Sequence, residues 1–324
     1  MTKNKALLPL ITVVVLALTV ASLMVGEYDI TLGTLIDDPA AREMFLISRV
    51  PRTLALIFAA VAMSVAGVIM QLITQNKFVE PTTTAGTAQW AGLGLLFTLI
   101  LIPNAAPLTK MVVSVVFAFA GTMVFIVVLR RIAIRSSIIV PLVGIMLGAV
   151  VGSITTFIAG NFDLLQSMSA WRSGGFSSVV RGFYEPLWAV VVVVAVLAYV
   201  LADRFTIAGL GKDLATNVGL KYEQVVFLGV TLVAVATGVT SVVVGFIPFL
   251  GLIVPNLVSM MLGDDMHKNL PWVAVIGSGL LLACDLVGRT VVAPMEIPAS
   301  VILGAVGAAI FISLVVRQRR HVSA

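Results

Sequence analysis

The segment TIAGLGKDLATNVGLKYEQ, at residues 206–224, contains glycines and a lysine, which are residue types that bind phosphate groups. A P-loop has the pattern G-x-x-x-x-G-K-[ST], in which backbone amides surround the phosphates and a hydroxyl holds magnesium. Here an aspartate follows Gly211 and Lys212, and Thr206 occupies the position of the first glycine. The dinucleotide pattern G-x-G-x-x-G also fails, because Leu214 occupies the position of its third glycine. The segment is therefore not expected to bind nucleotide.

Residue types that hold metals or perform hydrolysis are scarce. The chain has one cysteine, Cys284, and two histidines, His267 and His321, so it offers neither an internal disulfide nor a His/Cys zinc cluster. The pattern H-E-x-x-H, a G-x-S-G nucleophile and paired aspartates are absent, and the nearest approach is the sequence G-S-G at 277–279. We expect no catalytic residue, no metal site and no cofactor bound by this chain.

The composition places the chain in a membrane. Hydrophobic residues make up 60% of the 324 positions and charged residues 11%, and the mean hydropathy is +1.14. A water-soluble fold of this length could not bury so much apolar surface. The net charge of +5 does not indicate nucleic-acid binding, because the basic residues are scattered over short loops instead of forming one patch.

Apolar segments of roughly 20 residues predict the membrane-spanning elements. Ten such segments lie near 6–25, 53–73, 85–103, 110–129, 139–160, 187–202, 225–244, 247–262, 271–288 and 298–316. Nine spans is the main alternative, because the eighth segment is short and contains Pro255. The expected fold class is an all-α polytopic membrane protein with about ten transmembrane helices, in which residues 1–324 form one transmembrane domain.

The basic residues predict the orientation of the chain. With a cytoplasmic N-terminus, most of the 20 lysines and arginines fall in cytoplasmic segments, as the positive-inside rule requires. We therefore predict a multi-pass protein of the cytoplasmic membrane with both termini in the cytoplasm. The longest cytoplasmic loop, at about 203–224, contains the opening segment. Short helices are expected within 209–219, with Gly211 and Gly219 at their ends; they either lie on the membrane surface or fit a groove on a partner.

Asp285 is the ionisable residue within the apolar run of the ninth span. A charge at the bilayer centre costs about 2.5–3.5 kcal/mol, and Arg289 lies four residues further along the same helix. We expect an internal Asp285–Arg289 ion pair. An ion-coupled secondary transporter is the alternative class of protein, but it would carry buried carboxylates or broken helices in two matching halves, and no inverted repeat is visible.

Two further patterns allow two interpretations each. Gly144, Gly148 and Gly152 form a face of small residues on the fifth span, which serves either tight packing within the chain or a transport pathway. Arg49 and Arg52 begin the second span on its outer side and share one helical face. They either reach lipid headgroups or contact an acidic partner.

Four longer stretches carry a resemblance to a known family. They are RVPRTLALIFAAVAMSVAGVIMQLITQN at 49–76, GFIPFLGLIVPNLVSMMLG at 245–263, NLPWVAVIGSGLLLACDLVGRT at 269–290 and EIPASVILGAVGAAIFISLVVR at 296–317. With the motifs R-x-P-R, G-L-I-V-P and E-I-P in this order, the chain resembles the permease subunits of type II ABC importers for iron–siderophore complexes, haem and vitamin B12. The similarity covers nearly the whole chain.

The chain also departs from the usual pattern of that family. Asn256 follows G-L-I-V-P where the family usually has a histidine, and Ser259 and Met260 stand where a basic residue often follows. The run NKFVEPTTTAG at 76–86 replaces the usual proline, small residues and Asp-Pro, and it resembles the branch that serves catecholate siderophores, including petrobactin-like ones. These departures bear on the substrate subgroup and not on the family.

The resemblance implies a fold, a function and partners. Related permeases have ten transmembrane helices and pair as identical or related subunits around a central pathway. Two cytoplasmic ATPases use ATP and magnesium, and an extracytoplasmic binding protein delivers the cargo. The chain is thus expected to be a transport subunit and not an enzyme, and to move a ferric siderophore inward. Vitamin B12 and haem are the alternative cargoes.

The resemblance also implies site residues. The coupling segment that docks into the ATPase comprises Ala208, Gly209, Lys212, Ala215 and Gly219. The positions that receive acidic residues of the binding protein are Arg49, Arg52 and Arg289. The pathway and its outer gate comprise Gly144, Gly148, Gly152, Ser169, Ser173, Gly174 and Gly175. For Lys212, pairing with acids of the ATPase and retention of the loop in the cytoplasm remain open.

Overall fold

The computed structural model describes residues 3–26, 32–132, 138–182 and 184–322, and every regular element in these ranges is a helix. The helices are α1 Lys3–Met24, α2 Leu32–Asp37, α3 Pro39–Met44, α4 Val50–Thr74, α5 Thr87–Leu101, α6 Pro107–Arg131, α7 Ile139–Asn161, α8 Leu165–Ser173, α9 Glu185–Val200, α10 Ala202–Gly209, α11 Lys212–Asn217, α12 Tyr222–Val244, α13 Leu250–Leu262, α14 Met266–Thr290 and α15 Ala299–Val322. A π-helical turn, Phe45–Arg49, joins α3 to α4.

Each of the ten predicted spans coincides with one of these helices. Six helices of the described chain are long and apolar enough to cross a membrane, and a seventh span results if α9 and α10, which meet at 62°, are counted together. Three apolar helices are shorter, namely α5, α13 and the described apolar part of α15, Ala299–Ser313. The fold is therefore that of a multi-pass helical membrane protein, and the count of ten spans stays a prediction.

Helix α4 is the central element of the bundle. It packs against α9, α12, α13 and α14, while α1 packs on α14 and α7 packs on α5. Small residues are frequent on its buried surface, among them Ala55, Ala59, Ala62 and Ala66. Because lipid provides no hydrophobic force between helices, such small residues allow the close packing that holds a membrane bundle together.

Two prolines free backbone carbonyls that other parts of the chain satisfy. A proline lacks an N–H and leaves the carbonyl four residues earlier without its helical partner. For Pro51 this is the carbonyl of Ile47 in the π-helical turn, which accepts a hydrogen bond of 3.1 Å from the backbone N–H of Arg181. The contact ties the outer end of the α3–α4 helix to the loop after α8.

The second proline, Pro255, lies inside α13 and frees the carbonyl of Gly251. The side-chain amide of Gln71 on α4 donates to this oxygen at 3.4 Å. Gly67 faces the same point, and a Cβ atom added to it would lie 2.0 Å from the Gly251 oxygen. Helices α4 and α13 thus meet backbone to backbone, which only glycine allows at residue 67.

We expect Gly67→Ala to lower the free energy of unfolding by about 1–3 kcal/mol, because the added methyl group overpacks this contact. Thermal unfolding of the detergent-solubilised protein measures the change. Gly160→Ala is the matched control, because its Cβ would meet its nearest neighbour, the side chain of Leu165, at an ordinary 3.8 Å. Equal unfolding temperatures for the two variants would contradict the proposed contact.

Candidate functional site

A cleft of about 860 Å³ opens between α7, α8 and the start of α5. Its lining includes Gln89, Gly148, Gly152, Ser153, Thr156 and Arg172. The cleft thus combines backbone and hydroxyl groups with one cationic side chain, on an otherwise apolar wall that includes Phe157 and Trp171. Such a mixture is typical of a water-accessible cavity at membrane depth.

The three predicted pathway glycines of α7 have different surroundings. A Cβ at Gly144 would lie 1.7 Å from the carbonyl oxygen of Thr84, and one at Gly148 would lie 3.3 Å from the Cα of Gly86. At Gly152 the nearest atom is Nη2 of Arg172, at 3.5 Å. Gly144 therefore packs against the loop before α5, whereas Gly148 and Gly152 line the cleft, and their place in a transport pathway stays a prediction.

The predicted gate segment is a short helix with a fixed end. Helix α8 contains Ser169 and ends at Ser173, and Gly174 follows in the left-handed conformation with φ 58°. A Cβ at Gly174 would lie 2.1 Å from the carbonyl oxygen of Phe246. Ser173 and Gly175 border a second cleft of about 740 Å³. The residues thus lie where a rim was predicted, and their role in gating stays a prediction.

Two hydrogen bonds hold α8 against the rest of the bundle. The indole N–H of Trp171 donates to the carbonyl oxygen of Ser241 on α12 at 2.7 Å. The hydroxyl of Ser300, at the start of α15, donates to the carbonyl oxygen of Ser173. A movement of α12 or α15 would therefore act directly on the helix that borders both clefts.

A buried ionic cluster lies at the other predicted site, near the start of α4 and the end of α14. Asp285 Oδ2 lies 2.7 Å from Nη2 of Arg289, which confirms the predicted pair, and Asp285 Oδ1 lies 2.8 Å from Nη2 of Arg52. Arg52 also reaches Glu296, with 2.9 Å between Nη1 and Oε1. The sequence did not indicate Arg52 as a partner of Asp285, because 233 residues separate the two.

The predicted docking arginines converge on the end of α1. Arg289 donates through Nη1 to the Val25 carbonyl at 2.9 Å and through Nη2 to the Ser22 hydroxyl at 2.8 Å, and Arg49 donates to the same Val25 carbonyl. Arg49 and Arg289 are 9% and 7% exposed, whereas the Arg52 side chain is 13% exposed. The three residues do cluster, but all are engaged within the chain, and docking stays a prediction.

We expect Asp285→Asn to lower the free energy of unfolding by about 3–5 kcal/mol, because two buried guanidinium groups lose their shared carboxylate. Glu296→Gln is the matched control, because the Glu296 side chain is 34% exposed and the loss of its ion pair costs about 1 kcal/mol or less. Thermal and denaturant unfolding in detergent distinguish the two variants. A change of similar size in both would refute the central role of Asp285.

At the opposite end, the predicted coupling segment consists of α10 and α11. Ala208 and Ala215 are fully buried, and a Cβ at Gly209 would lie 2.7 Å from the side chain of Leu72 on α4. Gly219, with φ 83°, has no atom near its Cβ position. Three of the predicted small residues therefore pack against this chain itself, where they hold the segment close to α4.

The exposed surface of this segment includes three large apolar side chains, a feature that the residue-by-residue prediction missed. Leu210, Leu214 and Val218 are 62%, 58% and 70% exposed. Leu210 lies between α10 and α11, Leu214 lies within α11 and Val218 follows it, and their four-residue spacing was the available sequence signal. Three exposed apolar side chains within nine residues are typical of a protein contact surface.

An ionic cluster fixes the start of α11. Nζ of Lys212 lies 3.1 Å from Oε1 of Glu223, the second residue of α12. The other carboxylate oxygen of Glu223 lies 2.7 Å from Nη2 of Arg130 at the end of α6. Lys212 thus has a partner within the chain, and the cluster joins α11 to both α6 and α12.

The loop between α4 and α5 is held by polar contacts. The Glu80 carboxylate is fully buried and accepts hydrogen bonds of 2.5 Å from the Thr82 hydroxyl and the Thr83 N–H. The amide of Asn256 donates to the carbonyl of Lys77 at 2.7 Å, so the residue in the usual histidine position has a structural contact. The sequence analysis assigned no role to Glu80, although its run had been noted as unusual.

Lys77 also reaches across to the turn between α13 and α14. Its Nζ lies 3.0 Å from Asp264, which also accepts a hydrogen bond from the Ser259 hydroxyl. Partial burial acts to raise the pKa of the Asp264 carboxyl, but the Ser259 hydroxyl and the Lys77 ammonium outweigh it and lower this pKa below its ordinary value. Because both side chains are more than half exposed, the pair adds little to stability.

Within the described ranges of the chain, no group of three or more histidine, cysteine, aspartate or glutamate side chains is arranged to hold a metal ion. Cys284 is buried in α14.

The fold and the clefts define a helical membrane protein with a water-accessible cavity between its helices. The model of the FecCD transport family matches residues 13–317. The chain therefore belongs to the FecCD transport family, and it is a transport permease and not an enzyme.

Individual relatives agree with this family. The chain is 48% identical over 308 residues to a petrobactin import system permease protein of Bacillus anthracis, covering 95% of this chain and 90% of the relative. It is 39% identical to a ferric-anguibactin transport system permease protein of Vibrio anguillarum, covering 83% and 85%. A solved metal-chelate type ABC transporter in an inward-facing conformation superposes with a TM-score of 0.81 at 21% identity, covering 97% of this chain and 99% of that chain, which supports the fold.

Proposed function

We propose that this chain is the permease subunit of an ATP-driven importer that moves a ferric siderophore into the cytoplasm. The observation that carries the proposal is the 48% identity to a petrobactin import permease over 95% of the chain. The NKFVEPTTTAG run, whose Glu80 and Lys77 contacts shape the loop before α5, supports a catecholate cargo. Vitamin B12 and haem are the alternative cargoes within the same family.

We further propose ten transmembrane spans with both termini in the cytoplasm. Seven spans are supported by length and composition when α9 and α10 count as one. The shorter helices α5, α13 and α15 supply the other three, because short spans are tolerated where neighbouring helices pack around them. The distribution of basic residues supports the orientation.

The partners that this proposal requires are a second permease subunit, two ATP-binding subunits and an extracytoplasmic binding protein. The exposed row Leu210, Leu214 and Val218 supports an ATPase contact, because it is apolar and lies on the predicted cytoplasmic side. ATP and magnesium belong to the ATPase, and this chain is proposed to bind no cofactor. ATP-driven closure of the ATPases would displace α10 and α11 and rock the helices around the pathway.

At the outer end we propose contact with the binding protein. Arg52 supports it, because this arginine keeps 13% of its side chain exposed and its bond to Glu296 is near the surface. Acidic residues of a binding protein would compete with Glu296 for Arg52. Such charge pairs favour fast association and a fixed register more than high affinity.

The ATPase contact predicts the effect of a charge on α11. We expect Leu214→Asp to lower both uptake and cargo-stimulated ATP hydrolysis by about tenfold or more, because an apolar residue at the centre of an interface contributes about 2 kcal/mol or more. Thr216→Asp is the matched control, since it places the same charge on the opposite side of α11, where Thr216 is also exposed. Co-purification of the ATPase with Leu214→Asp at the wild-type level would contradict the contact.

Uptake by cells tests the cargo. Cells that carry the complete importer, with this chain intact or deleted, receive radioactive iron on catecholate, hydroxamate and carboxylate siderophores, with labelled haem and cobalamin in parallel. We expect deletion to abolish uptake of a catecholate complex. Loss of cobalamin or haem uptake alone would keep the family and overturn the cargo. Unchanged uptake of every ligand would overturn the proposed function.

A further inference from the structure

Arg172 is the ionisable residue among the side chains that line the large cleft. It is the penultimate residue of α8 and lies opposite α7. Its Nη2 donates to the carbonyl oxygen of Gly152 at 3.1 Å and to the hydroxyl of Thr156 at 3.1 Å. These two bonds fix the guanidinium group against one wall of the cleft.

Arg172 contacts the second half of α7, which is long and apolar enough to cross a membrane. Gly152 is the fourteenth residue of the helix that begins at Ile139, and at 1.5 Å per residue it lies about 20 Å from the start of that helix. The hydrocarbon core of a bilayer is about 30 Å thick. An arginine at this depth is costly in lipid and is typical of a functional position that faces water or a ligand.

Arg172 also differs from the other deeply placed arginines in lacking an acidic partner. Arg52 and Arg289 share the Asp285 carboxylate, whereas no ion pair joins Arg172 to a carboxylate in the part of the chain that the structure describes. The group is exposed to the cleft. Of its five N–H donors, the bonds to α7 come from Nη2 alone, which leaves the N–H groups of Nη1 and Nε available to a ligand in the cleft.

We propose that Arg172 selects negatively charged metal chelates for passage through this cleft. Ferric iron is held by deprotonated oxygen donors, and a complex in which these donors outnumber the three charges of the metal is an anion, as with three catecholates. A fixed cation between low-dielectric walls raises the local concentration of such an anion, and Arg forms charge-assisted hydrogen bonds with its oxygen atoms. The proposal rests on the proposed function and deepens it by assigning the charge class of the cargo.

We expect the transport rates of variants at residue 172 to follow the charge of the side chain. With the ferric complex of a catecholate siderophore as the probe, we expect maximal uptake to fall by about tenfold or more in Arg172→Gln and further in Arg172→Glu. Arg172→Lys is expected to retain most of the wild-type rate. The half-saturating concentration is expected to stay unchanged, because the binding protein captures the chelate. Arg181→Gln, which removes an exposed arginine outside the cleft, is the matched control and is expected to transport normally.

Several outcomes would overturn the proposal. Transport by Arg172→Gln at the wild-type rate would show that transport does not require the positive charge of residue 172. Equal losses in Arg172→Lys and Arg172→Gln, with normal membrane yield and thermal unfolding, would assign the effect to the bonds with α7 instead. A wild-type importer that carries only uncharged or cationic chelates would overturn the charge class but keep the importer. A wild-type importer that carries no chelate would overturn the proposed function itself.

Discussion

The shared carboxylate of Asp285 is the interaction on which the packing of α1, α4 and α14 depends. It lies between guanidinium groups from α4 and α14, and Arg289 in turn satisfies the carbonyl at the end of α1. Three helices are thus joined at one point where water is excluded. A buried charge is tolerated only where its partners are complete, so the positions of Arg52 and Arg289 are mutually dependent. Since α4 is also the helix on which α9, α12 and α13 pack, the cluster fixes the element that positions the rest.

Arginine side chains have different functions in two parts of the molecule, because their partners differ. Arg52 and Arg289 are neutralised within the chain and therefore stabilise its packing. Arg172 is fixed by a carbonyl and a hydroxyl, which orient the guanidinium group without cancelling its charge. A neutralised arginine contributes little long-range field, whereas an unneutralised one in a cleft attracts anions. The two environments thus separate arginines that stabilise helix packing from an arginine whose charge faces a cleft.

Hydropathy predicted the fold well, because the need for long apolar segments acts locally along the chain. All ten predicted segments lie on helices, and the Asp285–Arg289 pair followed from helical spacing. The partnership of Arg52 with Asp285 did not follow, because it joins residues far apart in sequence. Spacing also could not say which side of α10 and α11 faces the core; Ala208 and Ala215 lie on that side and are buried, and their contact with an ATPase stays a prediction. Helix α8 was missed because its polar sequence gives no spanning signal.

A continuous set of contacts links the cytoplasmic segment to the cleft. Lys212 on α11 is paired with Glu223 in the first turn of α12, and Ser241 in the last turn of α12 accepts the hydrogen bond from Trp171 on α8. Helix α12 has 23 residues and spans about 34 Å. Helix α12 is therefore in contact with α11 at one end and with α8 at the other. The ends of α12, and not its apolar middle, therefore carry the residues that connect the two sites.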